Sequence, residues 1–220
     1  MKVIFGIGAV LLAVAGMRIE LGPQLDETEQ GIEQTAIAQA DEAKGSVPWT
    51  VESIAADSPL VGDGPVKLVE FYDYMCPHCR TQAFVMEEFH RLHPDVAVAY
   101  KVIASRRDSH SLLAARYALA SAKQGKFYAM HHKLMELARR ETLTEEGILA
   151  AAAGIGLDRA QLKADSAGED INRQIDAHRS AGKRVGISNL PAFAYGRRAP
   201  GYFNGEQSIE TLMGAIERAN

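Results

Sequence analysis

Only two cysteines occur in this 220-residue chain, and they stand three positions apart, at Cys76 and Cys79. That pairing constrains the chain more than any other feature. With no third thiol, a framework of structural disulfides is excluded, and so is a zinc site built on four thiolates. The C-x-x-C spacing brings two sulfurs within bonding reach across about one helical turn. A bridge closing so short a loop restricts the unfolded chain little, which disfavours a purely structural staple. Zinc would need two further ligands from outside the motif, and His90, His93, His131 and His132 read as helix or loop residues on a solvated surface. Redox exchange is the chemistry this spacing favours.

The flanking sequence supplies the setting. Val66–Tyr72 is a short β-prone run behind the turn cluster Gly62-Asp63-Gly64-Pro65. Pro77 sits where a helix opens, and Val85, Phe89 and Leu92 keep helical spacing until His93-Pro94 stops it. Val96–Ile103 is rich in valine and reads as a second strand. Strand, helix, strand is the core of a parallel crossover. From Ser109 to Arg184 the pattern is helical, with Thr144 as an N-cap. Strand character returns at Ala192–Tyr195 and near Tyr202-Phe203, and Ser208–Ala219 reads as a last helix.

Placed at the strand-to-helix junction, Cys76 meets the unpaired N–H groups and the positive end of the helix dipole, which stabilise a thiolate. Cys79, a turn inside, is the resolving thiol. His78 lies beside both and, when protonated, adds to the stabilisation. A stabilised reduced form makes the disulfide oxidising.

The N-terminus points to export. Met1-Lys2 is followed by an apolar run from Val3 to Met17, which reads as a signal peptide or signal anchor over residues 1–17, with Ala13-Val14-Ala15 as a cleavage signal. The run is shorter than the ~17–25 residues that a spanning helix needs, although Ile19 and Leu21 could extend it. Residues 18–46 then carry seven acids against Arg18 and Lys44, a balance of −5. With Lys2 the first 46 residues account for the whole net charge of −4, so residues 47–220 are neutral overall. A pI near 6.0 gives no reason to expect nucleic acid. Leu25 and Ile32 fit a coiled-coil seam that Thr28, Thr35 and Gln39 interrupt. The stripe Ile32, Ala36, Ala40, Ala43 supports a helical arm or linker, with a homo-oligomer through residues 20–45 as the other reading.

Phe71-Tyr72-Asp73-Tyr74-Met75-Cys76-Pro77-His78-Cys79-Arg80 resembles the active-site segment of the DsbA-like thioredoxin-fold family of exported thiol:disulfide oxidoreductases. Asp57–Gly62 resembles the lead-in segment of one branch, Gly186–Phe193 the loop that carries a cis proline, and Gly201–Ala219 the last strand and helix. The resemblance covers residues 47–220 and implies a thioredoxin fold with a helical insertion at about 108–184. It implies that Pro191 is cis and brings the backbone of Leu190, a client-binding position, against the Cys76 sulfur. It also implies that Glu70 is a buried acid near Cys79 that assists proton transfer. Leu190 stands where the family usually has Thr or Val, and Asn189-Leu190 where Gly-Thr is common.

The expectation is therefore a periplasmic enzyme, soluble or attached to the inner membrane, that exchanges disulfides with cysteine-bearing client proteins. Cys76, Pro77, His78, Cys79, Glu70 and Pro191 form the site, no cofactor is needed, and a membrane redox partner reoxidises or reduces the pair. The Pro-His dipeptide favours the oxidase direction. An isomerase or reductase oligomerised through the arm is the alternative, and a Cu(I)-binding chaperone is the alternative from another class.

Overall fold

The computed structural model describes residues 49–219; the expected signal segment, residues 1–17, and acidic arm, residues 18–46, lie outside them. A mixed five-stranded sheet is built from β1 (Leu60–Val61), β2 (Val66–Tyr72), β3 (Ala97–Val102), β4 (Ala192–Tyr195) and β5 (Gly201–Asn204), in the order β1-β3-β2-β4-β5. β2 and β3 run parallel, and every other neighbouring pair is antiparallel. The parallel pair forces a crossover, which α2 (Pro77–Leu92) makes. α1 (Val51–Ala55) precedes the sheet, α3 (Ser109–Ala122), α4 (Phe127–Arg139), α5 (Glu145–Gly154), α6 (Arg159–Ser166) and α7 (Glu169–Val185) fill the interval between β3 and β4, and α8 (Ile209–Ala219) closes the described chain.

Side-chain alternation along the strands divides the core in two. Leu68, Tyr72, Val98, Tyr100, Val102 and Phe193 face α2, α8 and the helical layer. Val69, Phe71, Ala99, Ala192 and Ala194 face α1 and the end of α7, where Trp49, Ile54, Ala181 and Val185 meet them. This is the thioredoxin-like arrangement implied by the sequence resemblance, with the extra helices inserted between β3 and β4.

Local chemistry sets the helix ends. Thr50 and Ser53 close a capping box at α1. Asp108, Thr144 and Asp158 cap α3, α5 and α6 through their side-chain oxygens. Gly186 ends α7 at φ 86°, a left-handed conformation that suits glycine and turns the chain toward Leu190. Among the described residues no helix is long and apolar enough to cross a membrane.

Candidate active site

β2 ends at Tyr72, and four residues later Cys76 is the N-cap of α2, in an extended conformation with Pro77 at the first helical position. Pro77 costs the helix nothing there, because an N–H at that position would have no intrahelical partner. Asp73 shapes the turn between. Its Oδ1 accepts from the Met75 N–H at 2.9 Å, and its backbone oxygen accepts from the Cys76 N–H at 3.2 Å.

Two consecutive side chains fasten this turn to the inserted helices. The Ser111 hydroxyl of α3 donates to the Asp73 carboxylate at 2.8 Å, and the Ser105 N–H donates to Asp73 Oδ2 at 3.2 Å. Burial pushes the Asp73 carboxyl up, against the hydrogen bonds from Met75, Ser111 and Ser105, which hold it down. The next residue, Tyr74, shares a hydrogen bond with His131 Nδ1 of α4 at 3.1 Å and another with the Tyr72 hydroxyl at 3.2 Å.

Both cysteines are free thiols here. Cys76 is partly exposed, and its Sγ donates to the Leu190 carbonyl at 3.5 Å. The Leu190-Pro191 peptide bond is cis. Ser188 and Asn189 N–H groups donate to Asn204 Oδ1 at 3.0 and 3.3 Å, and Gly205 N–H donates to Pro191 O at 2.7 Å, so β5 and the turn after it hold the proline loop.

The two sulfurs differ electrostatically. The Cys76 thiol is pushed down to about 6, chiefly by a hydrogen bond from the Cys79 thiol. Burial opposes that fall, and the backbone N–H groups of Cys79 and His78 and the His78 imidazole add to it in decreasing measure. The neutral Cys76 side chain closes no capping hydrogen bond; the helix N–H groups act on the thiolate. Cys79 is fully buried, and the same hydrogen bond together with burial pushes its thiol up, with Glu70 adding in the same direction. One sulfur is prepared to ionise and its neighbour to keep its proton.

Glu70 is buried on the β2 face that carries Leu68 and Tyr72. Desolvation pushes it up to about 8, and Oε2 has no hydrogen-bond partner. His78 is three-quarters exposed, and its Nδ1 lies 2.7 Å from Glu206 Oε1. It is the weakest of the influences named on Cys76. The structure thus brings Cys76, Pro77, His78, Cys79, Leu190 and Pro191 together at the α2 N-terminus, with Glu70 behind them in the core.

The expectation of solvated histidines needs correcting. His131 is buried among Tyr72, Tyr74, Tyr100 and Phe127, and burial pushes it down to about 3. His90 is half-buried, and its Nε2 shares a 2.8 Å hydrogen bond with the Tyr100 hydroxyl. A signal was present: His131 falls four residues after Phe127 and three before Leu134, on the buried stripe of α4. Asp73, Ser111 and Glu206 also escaped the sequence reading, because their partners lie 32 to 128 residues away. Among the described residues no group of three or more His, Cys, Asp or Glu side chains is placed to hold a metal ion.

A cleft of about 520 Å³ opens on Cys76, walled by Met75, Ile103, Ile187 and Leu190 with Ser105 and Ser188 among its polar groups. Residues 67–217 match the model of the DSBA-like thioredoxin domain family. The sequence is 24% identical over 165 residues to the thiol:disulfide interchange protein DsbA of Bordetella parapertussis, covering 74% of this chain and 78% of that one. A thioredoxin-like oxidoreductase from Silicibacter pomeroyi superposes with a TM-score of 0.63 at 29% identity, covering 74% of this chain and 92% of that one. A periplasmic thioredoxin-like protein from Salmonella enterica serovar Typhimurium superposes with a TM-score of 0.64 at 28% identity, covering 77% and 95%.

Proposed function

This chain belongs to the DSBA-like thioredoxin domain family, and from that premise we propose that it is a thiol:disulfide oxidoreductase working on client proteins as an oxidase. The observation that supports this reading best is the divided pair, with the Cys76 thiol held down at a helix start and the Cys79 thiol held up beneath it.

In the oxidised enzyme a client thiolate attacks Cys76 Sγ from the cleft. The Cys76–Cys79 bond breaks, Cys79 leaves with the electron pair, and it takes a proton. Glu70, held up to about 8 by burial, carries a proton at neutral pH and serves as the donor. A second client thiolate then attacks the client sulfur of the mixed disulfide, and Cys76 leaves as a thiolate that its surroundings already favour. The client gains a disulfide, and the enzyme becomes a dithiol holding two electrons. A membrane oxidant must remove them before the next cycle. Leu190 and the loop of Pro191 hold the client backbone beside Cys76. The apolar N-terminal run and the exported character of the family support a periplasmic location.

Oxidation of a reduced, unfolded protein whose activity needs its disulfides tests this reading, together with the reduction potential of the pair against glutathione. The expected potential is far more oxidising than the about −270 mV of thioredoxin. A value near thioredoxin's, with no activity recovered, would instead favour the reductase direction.

A further inference from the structure

Glu206 stands in a short loop whose two neighbours are both anchored at the active site. Gly205 is tied to the proline loop through its hydrogen bond to Pro191 O at 2.7 Å. Gln207 exchanges a reciprocal pair with Gln82 of α2: its N–H donates to Gln82 Oε1 at 2.9 Å, and Gln82 Nε2 donates to Gln207 O at 3.0 Å. Gln82 is fully buried one turn beyond Cys79. The residue between these anchors is therefore carried by the proline loop on one side and by the active-site helix on the other.

That residue presents a carboxylate to the client side of the site. Its side chain is 41% exposed, and Oε1 is engaged with His78 while Oε2 has no hydrogen-bond partner among the described residues. It lines a cleft of about 570 Å³ together with His78, Asn189, Leu190 and Gly205. This cleft shares Asn189 and Leu190 with the one that opens on Cys76, so the two meet along the segment that faces the reacting sulfur. Among the described residues no lysine or arginine lines either cleft.

We propose that Glu206 selects clients with a lysine or arginine next to the cysteine that reacts, an inference that rests on the reading of this chain as a disulfide exchanger. An extended client segment advances about 3.3 Å per residue. With its sulfur bonded to Cys76 and its backbone along Leu190, a side chain one or two positions away reaches the Glu206 cleft. An ammonium or guanidinium there pairs with the carboxylate or displaces the exposed His78. A client carboxylate in the same seat meets like charge. The pair sits at a wet rim, so it acts on encounter and orientation and weakens with salt.

The test uses the oxidised full-length protein and three dithiol peptides that differ only at the positions flanking one cysteine, filled with Lys, Gln or Glu. Each rate of oxidation is divided by that peptide's rate with a small aromatic disulfide, which cancels the effect of neighbouring charge on the peptide's own thiol. At low salt the Lys peptide is expected to react about fivefold faster than the Glu peptide, with Gln between, and the ratio is expected to shrink in ~0.5 M salt. Glu206→Gln is expected to bring the ratio close to one, and Glu206→Lys to invert it. Equal rates for the three peptides, or a ratio that survives Glu206→Lys, overturn the charge selection and leave the exchange reading standing. Failure to oxidise any of the three overturns the exchange reading and this inference with it.

Discussion

The two sides of the α2 N-terminus are made of different material, although only two residues separate their cysteines. On the Cys76 side lie an open cleft, the Leu190 carbonyl and the exposed His78–Glu206 pair. On the Cys79 side lie a fully buried thiol, the buried Glu70, and a polar aromatic cluster of Tyr72, Tyr74 and His131. A negative charge is stabilised on the first side by the hydrogen bond from the Cys79 thiol and by the helix N–H groups, and opposed on the second by that same bond and by desolvation. Position along one helical turn thus sorts two identical groups into a sulfur that exchanges with clients and a sulfur that stays protonated behind it.

Exchanging either cysteine breaks the comparison outright and carries the largest effect. Cys76→Ala is expected to abolish exchange. In Cys79→Ala the Cys76 thiolate attacks the disulfide of an oxidised client, releases one client thiolate and remains bonded to the other client sulfur, because no second enzyme thiol displaces it; the adduct is read on a non-reducing gel. A Cys79→Ala protein that forms no adducts contradicts the assignment of roles.

Glu70→Gln tests the buried side alone. An unfolded chain releases this proton near 4.5, whereas the folded protein keeps it until about 8. Between those values the folded state binds more protons, so stability falls as pH rises. Urea titrations should show this decline in the native protein and its loss in Glu70→Gln. Stopped-flow kinetics at neutral pH should show Cys79 release slowed about tenfold.

Tyr74→Phe probes the fastening of the turn. It leaves the Tyr72 hydroxyl and His131 Nδ1 buried without this partner, at an expected cost of about 1–3 kcal/mol in denaturant unfolding. His78→Phe probes the open side and has the smallest effect. An exposed side chain beside the sulfur acts on it through water, so the glutathione equilibrium constant should move by about threefold or less.

Contacts between near neighbours in the chain are legible in the sequence, and contacts between distant residues are not. Strand, helix and strand around Cys76 are visible in apolar spacing and in Pro77, which are local signals. The His131 contact to Tyr74 spans 57 residues and the Glu206 contact to His78 spans 128. Such pairings are set by how the inserted helices and the last turn dock on the sheet, and no short pattern encodes them. His131 illustrates the limit: its spacing from Phe127 and Leu134 marks the buried stripe of α4, but its polarity argues for the surface. The hydrogen bond shared with a distant tyrosine, Tyr74, reconciles the two.

One sulfur of the pair ionises easily and its neighbour does not. Thiolate absorbance of the reduced protein, followed from pH 3 to pH 9 with the oxidised protein as blank, tests it most directly. The expected result is a single thiolate with a midpoint near 6, lost in Cys76→Ala, and no second thiolate over that range. Two thiolates appearing together near the ordinary cysteine range of about 8.5 would contradict the account.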